Sequence, residues 1–246
     1  MRIDKGEVQI SASDFAKHLA CRHLTILDLR AARGELKPPY WHDPGVAVLE
    51  ERGLRHESEY LAHLKGSGYQ ILADQTEIDD ACGTERTLQA MKSGVQVIPQ
   101  AYLEDGRWRG RADVLYKVDK SSDLGNWSYE AIDTKLALET KGGTILQLCL
   151  YSELVAKIQG RMPEHMHVVS PGREFQRETF RLQDYLAYYR FVKARLEEIT
   201  ANPFPATYPE PVEHCEICRW WPLCNDRRRK DDYLSSLLIK EPLMVS

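Results

Sequence analysis

Between residues 44 and 65 the chain reads P-G-V-A-V-L-E-E-R-G-L-R-H-E-S-E-Y-L-A-H-L-K, with apolar side chains recurring at helical spacing. Pro44 suits a first turn and Gly66 a position just past the end, so one long helix containing His56 is predicted. Upstream, Ser11-Ala12-Ser13-Asp14 offers N-cap candidates, and an apolar-rich segment runs on to Gly34, broken by Cys21-Arg22-His23. That pattern predicts one or two helices with a cysteine in the middle, followed by a proline-containing loop over 35–43. Downstream, the pattern predicts a short strand over 69–73 and a helix over 84–92 closed by Gly94. The β-formers of 95–103 lead into a hairpin turn, Glu104-Asp105-Gly106-Arg107, and a returning strand over 108–118. A third strand follows over 127–136, then a helix over 144–159 stopped by Gly160 and a strand over 165–170. A long amphipathic helix over 181–199 ends in a proline-rich linker, N-P-F-P-A-T-Y-P-E-P.

Strands in a hairpin-rich sheet with helices before and after predict an α/β or α+β sandwich. No G-x-G-x-x-G or P-loop pattern follows a strand, which argues against a nucleotide-phosphate cradle. With 246 residues, 43% hydrophobic and 28% charged, the chain has material for one core of about 200 residues and a small appendage. The divisions expected are 1–204 for the main domain, 205–230 for a cysteine segment and 231–246 for an oddly apolar tail. A net charge of -4 argues against a protein that coats DNA generally, which would usually be basic, though not against one with a locally positive cleft. The start, M-R-I-D-K-G-E, is charged with no apolar run after it, and no stretch approaches the ~18 apolar residues of a membrane span. A cytoplasmic protein without a membrane partner is expected. In that compartment six cysteines point to a metal, a cluster or buried thiols rather than disulfides.

The chemistry concentrates between Arg109 and Tyr151. On a strand, Asp133 and Lys135 share a face with Tyr129 and Ala131, while Glu130, Ile132 and Thr134 take the other. Alone, such a pair reads as an exposed ion pair. Asp113, on the preceding strand after Arg109-Gly110-Arg111, changes that reading, because two converging carboxylates repel unless a cation lies between them. Hard oxygen ligands favour Mg²⁺ or Mn²⁺, and a neighbouring lysine can orient water or offset charge on a phosphate. Gln147 and Tyr151, four apart, lie on one helix face. Thr144-x-x-Gln147 also has the form of a capping box, and Tyr151 also suits a core position.

Cys215-x2-Cys218-x5-Cys224 brings three thiols into a short segment, and a tetrahedral zinc or an iron-sulfur cluster needs a fourth ligand. Cys21, Cys82, Cys149 and His214 are the candidates, and spacing does not separate zinc from iron. Cys149 also reads as a buried thiol and Cys82 as structural. Within the cysteine segment, Arg219-Trp220-Trp221 suits either base stacking or shielding of the metal group. Arg227-Arg228-Arg229-Lys230 suits either a phosphate track or a solvated helix end.

Taken together, G-L-R-H, G-R-A-D, D-T-K and Q-L-C-L-Y, followed by the split cysteine set, resemble the RecB-type branch of the PD-(D/E)xK nucleases, including CRISPR-adaptation nucleases and the nuclease modules of helicase-nuclease complexes. The resemblance spans Cys21 to Cys224. It implies an α/β fold with a restriction-endonuclease-like mixed sheet core flanked by helices, and a small cysteine-ligated C-terminal appendage. It implies a Mg²⁺- or Mn²⁺-dependent deoxyribonuclease, an exonuclease or end-trimming enzyme, in which His56, Asp113 and Asp133 are metal ligands and Lys135 is the catalytic lysine. Much of the family has glutamate where this chain has Asp133. Gln147 and Tyr151 match the family's DNA-contacting pair, and Arg109 and Arg111 are assigned to DNA as well. The cysteine pattern resembles that of iron-sulfur members, which selects Cys21 with Cys215, Cys218 and Cys224 around a 4Fe-4S cluster, zinc being the alternative. The implied partners are DNA with a single-stranded part or free end, and a helicase or CRISPR-adaptation integrase. A stand-alone or shortened nuclease module is expected, and a non-catalytic DNA-end-binding or scaffold subunit is the competing reading.

Overall fold

The D-G turn joins two neighbouring strands of a mixed sheet. The structure is a computed structural model and describes residues 1–4, 6–40, 44–73, 80–137, 139–172, 175–201 and 206–231. Gly106, at φ +57, lets the chain reverse between β3 (Val97–Asp105) and β4 (Trp108–Val118), which pair from Asp105↔Trp108 to Val97↔Tyr116. On the other edge of β4, its second half pairs antiparallel with β5 (Ser128–Thr134). Then β6 (His165–Val169) runs parallel to β5, and β7 (Arg177–Arg181) closes that side antiparallel to β6. The first residues of β4, Trp108 and Arg109, pair in parallel with Ile10 and Ser11 of β2 (Glu7–Ser11), which forms a hairpin with β1 (Arg2–Asp4). The described strands thus form one seven-stranded mixed sheet flanked by helices, a mixed α/β architecture.

One face carries the larger core. There α1 (Ala12–Ala20), α5 (Gly142–Gln159) and α6 (Leu186–Ala201) pack together, with the Phe15 ring 5.4 Å from both Trp108 and Tyr189. α5 is apolar nearly all round, as a helix covered on every side must be, and Leu146, Leu148, Leu150 and Leu154 are all buried. Each such leucine contributes about 1.5–3 kcal/mol by leaving water. The opposite face is covered by α3 (Pro44–Gly66), whose Tyr60 and Leu64 meet Val97, Val114, Ile132 and Val169. α4 (Asp80–Lys92) backs the edge of β3, where Thr87 Oγ1 accepts the Tyr102 N–H at 3.0 Å. α2 (Arg22–Ala32) forms a third, smaller cluster with the C-terminal segment: Leu24, Leu27 and Trp220 are buried with Cys21, Cys218 and Cys224 against them. That segment contains a short 3-10 helix, Glu213–Ile217, and α7 (Trp221–Lys230). No described helix is long and apolar enough to cross a membrane.

Several expectations need correction. The strand predicted over 69–73 is a single bridge, Ile71↔Val97, and the helix predicted over 181–199 begins only at Leu186. Residues 177–181 instead form edge strand β7, a charged R-E-T-F-R segment that pairing with β6 makes extended. β1 and β2 were not predicted. The capping box at Thr144-x-x-Gln147 does not form, because α5 starts two residues earlier, with Lys141 as N-cap. The central segment of 127–136 is strand only over 128–134, so Lys135 lies just beyond β5. Cys21 sits between α1 and α2, where its Sγ accepts the Leu24 N–H at 3.4 Å. Residues 41–43, part of the proline-containing loop, and 202–205, part of the proline-rich linker, lie outside the described residues, as does the tail from residue 232.

The side-chain alternation of β3 and β4 shifts phase at one level. Ile98 and Ala101 both face the larger core although three apart, and so do Ala112 and Leu115, while Val97 and Val114 face α3. Gln100, the residue across from Asp113, takes a left-handed φ of +47 there. The β4–β5 ladder also stops at Val114↔Ile132. The sheet opens beside Asp113.

Candidate functional site

Asp113 fills the opening with its side chain. Past Val114 the backbone of β4 no longer pairs with β5, and Asp113 Oδ2 takes over, accepting the Thr134 N–H at 2.7 Å and the Thr134 hydroxyl at 2.9 Å. Asp133, level with Asp113 on β5, is 2% exposed. Lys135 Nζ lies 2.8 Å from Asp133 Oδ2, so the lysine returns to the side of the sheet that strand alternation assigns it. Asp133 Oδ2 is itself buried, so this ion pair is formed out of water. A carboxylate in that position is costly to desolvate, and the ammonium beside it offsets part of the cost.

The electrostatics follow from the crowding. Burial pushes the Asp133 carboxyl well above its ordinary value and the Asp113 charge adds to it, with Lys135 opposing. For Lys135, burial works to lower the ammonium, but Asp133, Asp113 and, behind them, Glu57 outweigh it and hold the proton more tightly than usual. The Lys135 side chain remains 35% exposed, so its charge can meet a substrate. Tyr151 reaches the same spot from α5. Burial, then the fields of Asp133 and Asp113, raise its phenol, with Arg111 acting the other way. Its ring lies on Gly110, where a Cβ would stand 2.4 Å from Tyr151 Cε1, which explains the glycine in R-G-R-A-D.

Other predicted residues lie around this centre. His56, on the inward stripe of α3 with Tyr60 and Leu64, is buried, and its Nε2–H donates to the Val169 carbonyl at 3.1 Å. The Lys135 N–H donates to that same oxygen at 3.0 Å. His56 and the Lys135 backbone thus share one acceptor. Arg109 and Arg111 border a cavity of about 220 Å³ with Ser11, Thr84 and Tyr102, and Arg111 donates to the Tyr102 hydroxyl at 3.3 Å. Gln147 is half-buried and lines a separate groove of about 690 Å³ between α1, the start of α5 and the Glu213–Ile217 turn. Tyr151 and Gln147 share a helix face but address different spaces.

Cys21, Cys215, Cys218 and Cys224 border one small cavity under Trp220, together with His214. Burial pushes the Cys224 thiol up to about 12, with Cys218, Cys21 and Cys215 adding to the shift. Of the remaining cysteines, Cys149 is buried with its thiol also raised to about 12 by burial, whereas Cys82 is exposed. Trp220 is fully buried and its indole N–H donates to Asp28 at 2.8 Å, so it shields the cysteines and is closed to base stacking. The basic run is the last turn of α7, where Arg228 is buried, Arg227 pairs with Asp231 and Lys230 with Asp226. Among the described residues no three His, Cys, Asp or Glu side chains stand where they could hold a metal ion in this conformation. Two carboxylates meet at Asp113 and Asp133, and four cysteines border the small cavity under Trp220.

Two residues near the centre were missed. Glu57 follows His56 on the inward stripe of α3, and a polar pair interrupting that stripe was the available signal. Gln100, which donates to Glu57 from β3, had none. Comparison of the chain with known protein families and with curated proteins finds no matching family model and no matching protein.

Proposed function

We propose that this chain is a divalent-metal-dependent DNA nuclease of the RecB-like PD-(D/E)xK type, on a restriction-endonuclease-like core, with a 4Fe-4S cluster stapling its C-terminal segment to Cys21. The observation that carries the reading is the centre itself: two level carboxylates, the second of them buried, and an ammonium 2.8 Å from that second one. Asp113 and Asp133 would hold Mg²⁺ or Mn²⁺, hard cations that accept oxygen ligands and keep sites for water and phosphate. The bound cation would supply Lewis acidity and a more acidic water. His56, on release from the Val169 carbonyl, would complete the ligand set.

The chain's own groups do the rest. Lys135, held as ammonium by the acids beside it, meets the charge that develops on the phosphate oxygens. Thr134 fixes Asp113 through two hydrogen bonds, so that carboxylate need not reorganise during reaction. Tyr151, kept protonated, closes the side of the centre toward Gly110 and has an O–H available to donate. Arg109 and Arg111 border the neighbouring cavity and provide cations for an adjacent phosphate. At the far end, the four thiols fit a tetrahedral metal group in number and donor type, and the role of that group is structural.

The engagement of His56 with Val169 favours a second reading, in which the chain binds DNA ends or scaffolds a helicase-nuclease or CRISPR-adaptation complex without cutting. Alanine at Asp133 or Lys135 separates the two. Both variants are expected to abolish Mg²⁺- or Mn²⁺-dependent cleavage while DNA binding, read by fluorescence anisotropy, persists. Full cleavage by either variant contradicts the site assignment.

A further inference from the structure

The described chain contains two non-glycine residues at positive φ, Gln100 at +47 and Phe175 at +45, and both address the same turn of α3. The Phe175 ring stacks on His56 with centroids 5.8 Å apart. Gln100 Nε2 donates to Glu57 Oε1. A side chain with a Cβ resists this backbone region, and such residues persist where the surroundings over-determine them, most often beside working sites. Gln100 lies inside a nine-residue strand and is buried, and glutamine has neither the freedom of glycine nor the short polar arm that lets asparagine adopt it.

Its position is as telling as its conformation. The pairings Pro99↔Val114 and Ala101↔Ala112 put Gln100 directly across from Asp113, which is level with Asp133 one step past Val114↔Ile132. Three adjacent strands therefore present Gln100, Asp113 and Asp133 in one row. A glutamine side chain in ordinary strand geometry would follow the alternation of its neighbours; the left-handed turn sends it to α3 instead. Glu57, which receives it, is the third carboxylate acting on the Lys135 ammonium after Asp133 and Asp113.

We propose that Gln100 is a positioning residue of the nuclease centre: its side-chain amide fixes the Glu57 carboxylate, which sets where the Lys135 ammonium stands relative to Asp113 and Asp133. This role rests on the nuclease reading. Gln100 acts through Glu57 and touches no reacting group, so its loss changes the chemical step more than DNA binding.

The test uses the full chain, Mn²⁺ and an end-labelled DNA duplex with a single-stranded overhang, with kcat, KM and the thermal midpoint measured for each protein. Gln100→Asn tolerates the left-handed backbone but is too short to reach Glu57, Gln100→Gly removes both strain and amide, and Glu57→Gln keeps a hydrogen-bonding partner without its charge. Each is expected to lower kcat roughly ten- to a hundredfold, the scale of a misplaced reacting group, with KM nearly unchanged. Gln100→Gly is expected to melt no lower than wild type, because relieving the backbone offsets the lost hydrogen bond. The double variant Gln100→Asn/Glu57→Gln should fall no further than the worse single variant, since both remove one interaction. Wild-type kcat in Gln100→Asn and Gln100→Gly, additive losses in the double variant, or losses of kcat that only track a falling thermal midpoint overturn the proposal. A wild-type chain that binds this DNA but cuts it with neither Mn²⁺ nor Mg²⁺ overturns the nuclease reading instead and removes the reaction Gln100 would serve.

Discussion

The two faces of one strand show how a single residue step separates two kinds of acid. Asp133 faces α5 and is buried beside a second carboxylate and the Lys135 ammonium, whereas Glu130, three positions earlier and equally buried, is held by histidine and backbone donors on the other face. Glu130 accepts the His167 Nε2–H at 3.0 Å and the His165 backbone N–H at 3.1 Å, and His167 Nδ1 reaches Thr179 Oγ1 at 3.0 Å. Burial works to raise the Glu130 carboxyl, but these hydrogen bonds outweigh it and hold it below its ordinary value. A lowered carboxyl stabilises the fold above the unfolded-state value, and the gain is lost as pH falls through the folded-state value. Glu130→Gln is therefore expected to cost about 1–3 kcal/mol at neutral pH, and the gap to wild type should narrow at pH 3. Urea midpoints at the two pH values check it; an equal gap at both would show that the carboxylate charge contributes nothing. The pairing of Asp133 with Lys135 was legible from the two-residue period alone. The bonds from Thr134 to Asp113 were not, because they depend on β4 and β5 parting at that level.

At the level of elements, the long patterns were read well. β4 matches its predicted bounds, and α3 and α5 differ from theirs by one or two residues, because each carries a strong period and a proline or glycine boundary. β2 was missed although E-V-Q-I-S alternates correctly, since five residues beside N-cap signals read as a helix approach. β7 was missed because it is exposed and charged and owes its conformation to β6. The C-terminal segment docks by a contact no pattern announces. Asp28 of α2 accepts from Trp220 Nε1 at 2.8 Å and from Arg219 at 2.7 Å. Burial alone would raise this carboxyl, but these bonds, with Lys17 nearby, hold it below its ordinary value. Asp28→Ala strands a buried indole N–H and should cost about 1–3 kcal/mol. Limited proteolysis should then cut within residues 206–231 faster than in wild type; an unchanged digestion pattern would mean that the cysteine contacts alone hold the segment.

Across the whole molecule, the sheet and the cysteine cavity are two sites at opposite ends of α1. The helix follows β2, which pairs with the start of β4, and ends at Cys21. Closure of the cavity by the proposed cluster would tie residues nearly two hundred positions apart, and a link spanning so long a loop restricts the unfolded chain strongly. Cys21→Ser is expected to lose the brown colour and the bound iron of anaerobically purified protein and to lower its thermal midpoint, while Cys82→Ser, on an exposed thiol, should leave all three unchanged. Colourless wild-type protein with stoichiometric zinc would replace the cluster with a zinc staple. The separation of Gln147 from Tyr151 also belongs to this scale: the groove that Gln147 lines leads toward the cysteine segment, so a bound strand that touches both residues must run from the acidic centre past α1.

The most direct measurement follows DNA labelled in turn at each end, incubated with the wild-type chain while Mn²⁺ or Mg²⁺ is titrated. Products that shorten with time, appear only with metal, vanish on chelation and are absent for Asp133→Ala are predicted. Intact DNA at every metal concentration, from a chain that binds it, would contradict the nuclease reading.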